Sequence, residues 1–175
     1  MNLKKRIDGK GFNGTEAVLD GKRQVKVRAI LLDEDDRMAL MYLPKYRHNG
    51  GKDLYMIPGG GVENHEDLRK ALGREMLEET GCHINIVEEI GYIENTEAED
   101  IWTAVTYYYI AKVVGEKGQL QLTEHEKDSQ FELQWHNLEK ALNIIEMQAE
   151  DNCKTIKFRD RLVVTEAIRL YQKTK

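Results

Sequence analysis

The chain has 175 residues, a formal net charge of −5, 41% hydrophobic residues and 33% charged residues. That length predicts one domain with room for a sizeable core, while the acidic balance argues against a general nucleic-acid-binding role and the lack of any run of about 18 apolar residues argues against a membrane-spanning helix. The basic start Met1-Asn2-Leu3-Lys4-Lys5-Arg6 leads into no hydrophobic stretch, so no secretory signal is expected, and two widely separated cysteines, Cys82 and Cys153, suit a reduced cytoplasmic setting better than a disulfide.

Residues 1–22 are rich in charge and glycine, with Asp8-Gly9, Asn13-Gly14 and Asp20-Gly21 as turn signals. They predict an arm or short hairpin within the same domain as residues 23–175. Residues 24–32 alternate and then become continuously apolar, which predicts a strand. Asp33-Glu34-Asp35-Asp36 reads as an exposed, solvated turn, and residues 38–43 as the second strand of a hairpin. Lys45-Tyr46-Arg47-His48-Asn49-Gly50-Gly51-Lys52 is a basic, aromatic loop, followed by a short strand over 53–57 that delivers Pro58, Gly59, Gly60 and Gly61. Glycines there allow close backbone approach to a ligand.

Beyond residue 82, strands are expected over 83–87 and 90–93, an acidic loop over 94–100, and the strongest strand over 102–114, where tyrosines and β-branched residues predict sheet packing. A further strand is expected over 118–122, a polar loop over 123–129 and a strand over 131–135. Helices are expected over 138–147 and 156–172, the last with a broad apolar side. The five histidines show no zinc-like spacing. Strands mixed with helices in this order predict an α/β fold, a mixed sheet covered on both sides.

The informative stretch lies between residues 59 and 82. Asn64 and Asp67 offer a capping box, good helix formers follow, and Gly81 is placed to end a helix, so a helix is expected over 66–80. On a wheel at about 100° per residue with Leu68 at zero, Leu72 falls at about 40° and Ala71 at about 300°, marking the core-facing side. Glu75 at about 340° and Glu79 at about 20° continue that line, with Glu78 at about 280° and Arg74 at about 240° beside it. A solvated helix laced with i,i+4 ion pairs accounts for Arg74 with Glu78 but leaves Glu75 and Glu79 without a basic partner downstream. Carboxylates on a core-facing stripe, at the helix end where the macrodipole disfavours negative charge, are better explained by a bound cation.

The spacing of this stretch resembles the Nudix box: Gly60, five residues, Glu66, seven residues, Arg74-Glu75, an apolar residue, any residue, Glu78-Glu79, any residue, Gly81, and an apolar place held by Cys82. Every fixed position matches, and the chain is identified as a member of the MutT-like Nudix hydrolase family. The resemblance implies a Nudix-type α/β/α sandwich around a mixed β-sheet. It also implies Mg²⁺ or Mn²⁺ held by Glu75, Glu78, Glu79 and the Gly60 carbonyl, with Arg74 orienting a glutamate and Glu66 behind it. Relatives often place a further acid ahead of a strand bearing Trp, which here makes Glu126 the first candidate and Glu124 the second for a metal ligand or general base. The loop after the second strand often borders the substrate, so Lys45, Tyr46 and Arg47 are candidate substrate-binding residues.

Hard oxygen donors suit Mg²⁺ or Mn²⁺, and such ions suit a diphosphate. The implied reaction is attack of water on phosphorus in a nucleoside diphosphate linked to another group, with a canonical or oxidised (d)NTP as the leading substrate. ADP-ribose hydrolases of the family often carry Pro about 16 residues past the box, whereas this chain has Glu97-Ala98-Glu99 there. The alternatives are a non-catalytic Nudix-fold module that binds nucleotides for regulation, which usually lacks box acids, and a plain acidic structural domain. A small-molecule nucleotide is the expected partner, with no nucleic acid and no membrane; a homodimer is left open.

Overall fold

The computed structural model of the chain describes residues 2–6, 23–46, 49–96, 103–122, 130–148 and 154–173. Its strands are β1 (Asn2–Arg6), β2 (Arg23–Leu32), β3 (Arg37–Tyr46), β4 (Lys52–Met56), β5 (His83–Thr96), β6 (Thr103–Val114) and β7 (Glu132–Asn137). Its helices are α1 (Leu68–Thr80), α2 (Leu138–Met147) and α3 (Lys154–Lys173). The strands form one sheet in the order β1-β5-β6-β2-β3-β4, with β7 paired to β3. β2 and β6 run parallel and the other named pairs antiparallel, so the sheet is mixed.

Alternation along β2 builds both halves of the core. Val25, Val27, Ala29 and Leu31 pack with Leu68, Ala71, Leu72 and Met76 of α1. Ile30 and Leu32 point the other way, towards Ala141 and Ile145 of α2 and Val163, Val164 and Ala167 of α3. Burial on both faces is why β2 reads as an apolar run, and each large side chain removed from water contributes roughly 1.5–3 kcal/mol. The result is the expected α/β/α sandwich.

The site depends on where two strands part. β2 and β3 pair at Leu32 and Met38. Further along β2, its free edge is taken by the chain after β4: the Ala29 amide donates to the Pro58 carbonyl, Val27 to Gly60, and Val62 to Val25. The glycine segment is thus held as a short extra rung against the central strand.

Several expectations change. Residues 83–96 form one strand, not two, because bulges between Ile86 and Glu88 and between Glu89 and Gly91 interrupt its alternation without ending it. The strand takes in Glu94, so the acidic loop starts later than expected; residues 97–102 lie outside the described residues. Residues 118–122 are not a strand. The Gly118 amide donates to the Gly81 carbonyl and the Gln121 amide to Glu78, so this segment satisfies carbonyls at the end of α1 instead of joining the sheet.

Asp33 is not a solvated turn residue but 1% exposed. It accepts from the Asp35 and Arg37 amides, Arg37 Nε and Lys117 Nζ. Residues 2–6 form an edge strand on β5, and residues 7–22 lie outside the described residues. Tyr108 and Tyr109 are core residues as expected, and burial pushes the Tyr108 hydroxyl up to about 12. Cys82 is a buried free thiol, and Cys153 lies outside the described residues. Among the described residues, no helix is long and apolar enough to cross a membrane.

Candidate active site

The start of α1 differs from the sequence expectation in a way that shapes the site. Asp67, not Asn64, is the N-cap, accepting from the Arg69 and Lys70 amides at 2.9 and 3.2 Å. His65 adopts a left-handed φ of 63°, which a helix cannot continue through. Glu66 therefore stays outside the helix and turns back on it.

Glu66 meets Arg74 in a two-pronged ion pair, with Arg74 Nε 3.0 Å from Oε1 and Nη2 2.9 Å from Oε2. The same Oε2 accepts the Glu63 amide at 3.0 Å. Arg74 also donates from Nη2 to the Gly61 carbonyl at 2.8 Å, and from Nη1 to Glu75 Oε1 at 2.8 Å and Glu78 Oε2 at 3.4 Å. One planar guanidinium thus ties together the glycine turn, Glu66 and two helix acids, a task suited to its fixed fork of donors.

The end of α1 is equally defined. Gly81 is left-handed (φ 66°), its amide donating to Leu77 and the Cys82 amide to Met76, which stops the helix. Glu79, 6% exposed, accepts the Gly59 amide at 2.6 Å. Glu75, 9% exposed, lies against Gly60, where an added Cβ would stand 2.4 Å from Oε2. The wheel thus placed both acids correctly on the buried side. The Gly60 carbonyl accepts from the Val27 amide at 3.0 Å, which occupies one of its lone pairs.

Burial pushes the Glu75 carboxyl up, against the pull of Arg74, and neighbouring Glu78 adds to the rise. The hydrogen bonds from Arg74 hold Glu66 below its usual range, and Arg74 is raised in return, chiefly by Glu66. Among the described residues, no three His, Cys, Asp or Glu side chains stand gathered as a ready metal centre; the Arg74 guanidinium bonds to both Glu75 and Glu78. The donor chemistry nevertheless fits a hard divalent cation: three carboxylates within one turn of helix, one of them raised by burial and a like charge that a cation would relieve.

Lys45 and Tyr46 end β3, where Tyr46 pairs with Lys52 at the start of β4. The Lys45 amide donates to Asp53. Arg47, Glu124 and Glu126 lie outside the described residues. An open pocket of about 660 Å³ lies between β4 and α2, lined by Lys52, Asp53, Tyr55, Lys140, Ile144 and Gln148 among others; no box residue lines it. Its size is that of a small-molecule site.

Sequence reasoning missed a buried group behind the glycine turn: Arg28 on β2 with Arg159 and Asp160 on α3. The available signals were a lone arginine inside an apolar strand, and an Asp three and four residues ahead of the buried Val163 and Val164.

A mixed-sheet sandwich with an acidic helix end docked on a glycine turn defines the architecture, and sequence comparison supplies the family. Residues 22–156 match the NUDIX domain, and the chain belongs to the Nudix family. It resembles the solved MutT NUDIX hydrolase from Burkholderia pseudomallei (18% identity, 82% of this chain, 97% of that one, TM-score 0.57). It also resembles a NUDIX hydrolase from Nitrosomonas europaea (21% identity, 79% and 88%, TM-score 0.58). These likenesses establish the fold. Among curated proteins, it is 26% identical over 101 residues to the ADP-ribose pyrophosphatase of Methanocaldococcus jannaschii, covering 58% of this chain and 57% of that protein. It is 26% identical over 117 residues to diphosphoinositol polyphosphate phosphohydrolase 2 of Rattus norvegicus, covering 65% and 57%. The matches therefore span little more than half of either relative's length.

Proposed function

We propose that this domain hydrolyses a phosphoanhydride bond in a nucleoside diphosphate linked to another group, with Mg²⁺ or Mn²⁺ as cofactor. The observation that carries this reading is the arrangement at the end of α1, where Arg74 gathers Glu66, Glu75 and Glu78 and Gly59 holds Glu79. A structural domain has no need of three part-buried acids against a helix macrodipole.

Glu75, Glu78 and Glu79, with the Gly60 carbonyl, would hold the ion. When bound, it supplies charge neutralisation at the transferring phosphoryl group and a lowered pKa for water. Arg74 orients Glu75 and Glu78 through Nη1, and Glu66 fixes the plane of the guanidinium. Glu126, or Glu124 as second choice, takes the proton of the attacking water. Water adds to phosphorus, the bridging P–O bond breaks, and the leaving phosphate or phosphate ester departs with that oxygen.

For the substrate, both curated relatives carry names that denote diphosphate compounds, ADP-ribose and diphosphoinositol polyphosphate. We keep a canonical or oxidised (d)NTP as the first substrate to test, because Glu97-Ala98-Glu99 carries no Pro at the place expected of ADP-ribose hydrolases. Lys45, Tyr46 and Arg47 would meet the part of the substrate away from the diphosphate. A cytoplasmic setting is supported by the free thiol of Cys82.

The test is a Mg²⁺-dependent hydrolysis screen, with the products separated by ion-exchange chromatography, over (d)NTPs, oxidised NTPs, ADP-ribose, other nucleotide classes and diphosphoinositol phosphates, with Glu79→Gln alongside. Turnover by the parent and its loss in Glu79→Gln are expected. No turnover with Mg²⁺ or Mn²⁺, or a variant as active as the parent, would overturn the enzymatic reading and favour the regulatory module.

A further inference from the structure

The turn that carries Gly59 is gripped from the face of the sheet opposite α1. Arg28, on β2, is buried and donates from Nη1 to the carbonyl of Ile57. Asp160, on α3, is fully buried and accepts the Ile57 amide on Oδ2 at 3.1 Å. Its Oδ1 is held by Arg159 Nε at 2.8 Å. Both polar groups of one residue are thus taken by side chains from elements 29 and 103 positions away in sequence. Two residues on, the Gly59 amide holds Glu79. Arg28 also backs that turn directly: a Cβ on Gly59 would stand 2.7 Å from the Arg28 Cα and 3.0 Å from its Cγ.

This arrangement is a poor way to gain stability. Two guanidinium groups are buried with one carboxylate between them, and Arg28 Nε and Arg159 Nη2 find no hydrogen-bond acceptor among the described residues. Buried charges of this kind are commonly replaced by apolar groups at no loss, or with a gain.

We propose that Arg28 and Asp160 form a buried clamp on the backbone of Ile57, making them positioning residues that set the Pro58–Gly60 turn and through it the place of Glu79. The inference deepens the hydrolase reading and rests on it for its kinetic arm alone. The clamp acts on geometry: with either jaw removed, the turn keeps its rung against β2 but loses its fixed distance from the end of α1. Misplacement by about an ångström in such a site costs up to about 100-fold in rate.

Arg28→Met tests this, because it removes one jaw and leaves Arg159 with Asp160 as a charge-balanced pair. The expected result is a kcat lower by about 10- to 100-fold with KM little changed, and a Tm lowered only by the loss of the one bond to the Ile57 carbonyl. A second readout needs no turnover: the Gly59 amide proton, shifted downfield by its bond to Glu79, is expected to move upfield in the variant's NMR spectrum. A merely structural role predicts a lowered Tm with parent-like kcat and an unmoved Gly59 amide; the kcat and the amide discriminate, and that result sinks the clamp. Arg28→Lys keeps a charge and a donor on a shorter reach, and is expected to fall between parent and Arg28→Met in both readouts; it carries the test if the methionine variant does not fold. Parent kcat with an unmoved amide in Arg28→Lys overturns the proposal in that case. If the parent turns over nothing, the hydrolase reading fails, while the Gly59 amide still decides the clamp.

Discussion

The amide of Gly59 donates to Glu79 Oε2 at 2.6 Å, joining the glycine turn to the last turn of α1 across 20 residues of sequence. An acid at a helix C-terminus faces the negative end of the macrodipole. Here the opposing amide, charge-assisted and buried, offsets that penalty and fixes the carboxylate in one orientation. Because an amide oxygen also accepts a hydrogen bond, Glu79→Gln should keep this contact and fold normally. Its kcat on whichever substrate the parent hydrolyses should fall by about 100-fold or more, roughly 3 kcal/mol of barrier. Circular dichroism and steady-state kinetics on the same preparation check both halves.

Gly59 and Gly60 should respond differently to alanine. At Gly60 the added Cβ meets the flexible end of Glu75, 2.4 Å from Oε2, so the carboxylate must swing aside while the backbone stays. Gly60→Ala is expected to fold with little change in Tm and to lose activity by about 10- to 100-fold through the displaced Glu75. At Gly59 the Cβ meets the Val27 carbonyl oxygen at 2.1 Å, and φ is 132°. Nothing there can yield cheaply, so Gly59→Ala is expected to cost several kcal/mol and to be recovered largely unfolded. Thermal denaturation of the pair shows whether Gly60 is kept for room beside a side chain and Gly59 for backbone geometry.

Arg74→Lys is a conservative change in charge only. A single ammonium cannot reproduce the fork on Glu66 together with the bonds to Gly61, Glu75 and Glu78. The expected outcome is a loss of about 10- to 100-fold in kcat with Mg²⁺ at saturation, of the size seen when outer partners of metal ligands are removed. A lysine variant with parent kinetics would show that Arg74 serves as a charge alone.

Asp33 offers a test in pH. Burial acts to raise its carboxyl, but hydrogen bonds from Lys117 and Arg37 outweigh this and carry it down from 3.8 to about 2. A carboxylate lowered in the folded state stabilises fully above its unfolded pKa, and that contribution is lost as pH falls through the folded value. With its side chain fully buried, Asp33 should contribute on the order of 2 kcal/mol at neutral pH. Asp33→Asn should therefore be less stable than the parent by about that amount above pH ~5, and the gap should close between pH ~4 and ~2. Urea melts of parent and variant across that range measure it; a gap that is constant with pH would show that the loss is not ionic.

What the sequence by itself determined was the part written in short-range spacing. Local period placed α2 at its observed bounds, put Glu75 and Glu79 on the buried side of α1 and ended that helix at Gly81. The box spacing named the family, because those residues act within a few turns of one another. What only the tertiary structure decided depends on partners distant in sequence. Residues 118–122 leave the sheet because carbonyls at the end of α1 compete for their amides. Asp33 is buried because Lys117, 84 residues away, comes to meet it. Arg28 and Asp160 fall on one backbone residue because β2 and α3 meet there. None of these follows from periodicity, since a hydrogen bond between distant residues leaves no local mark on either.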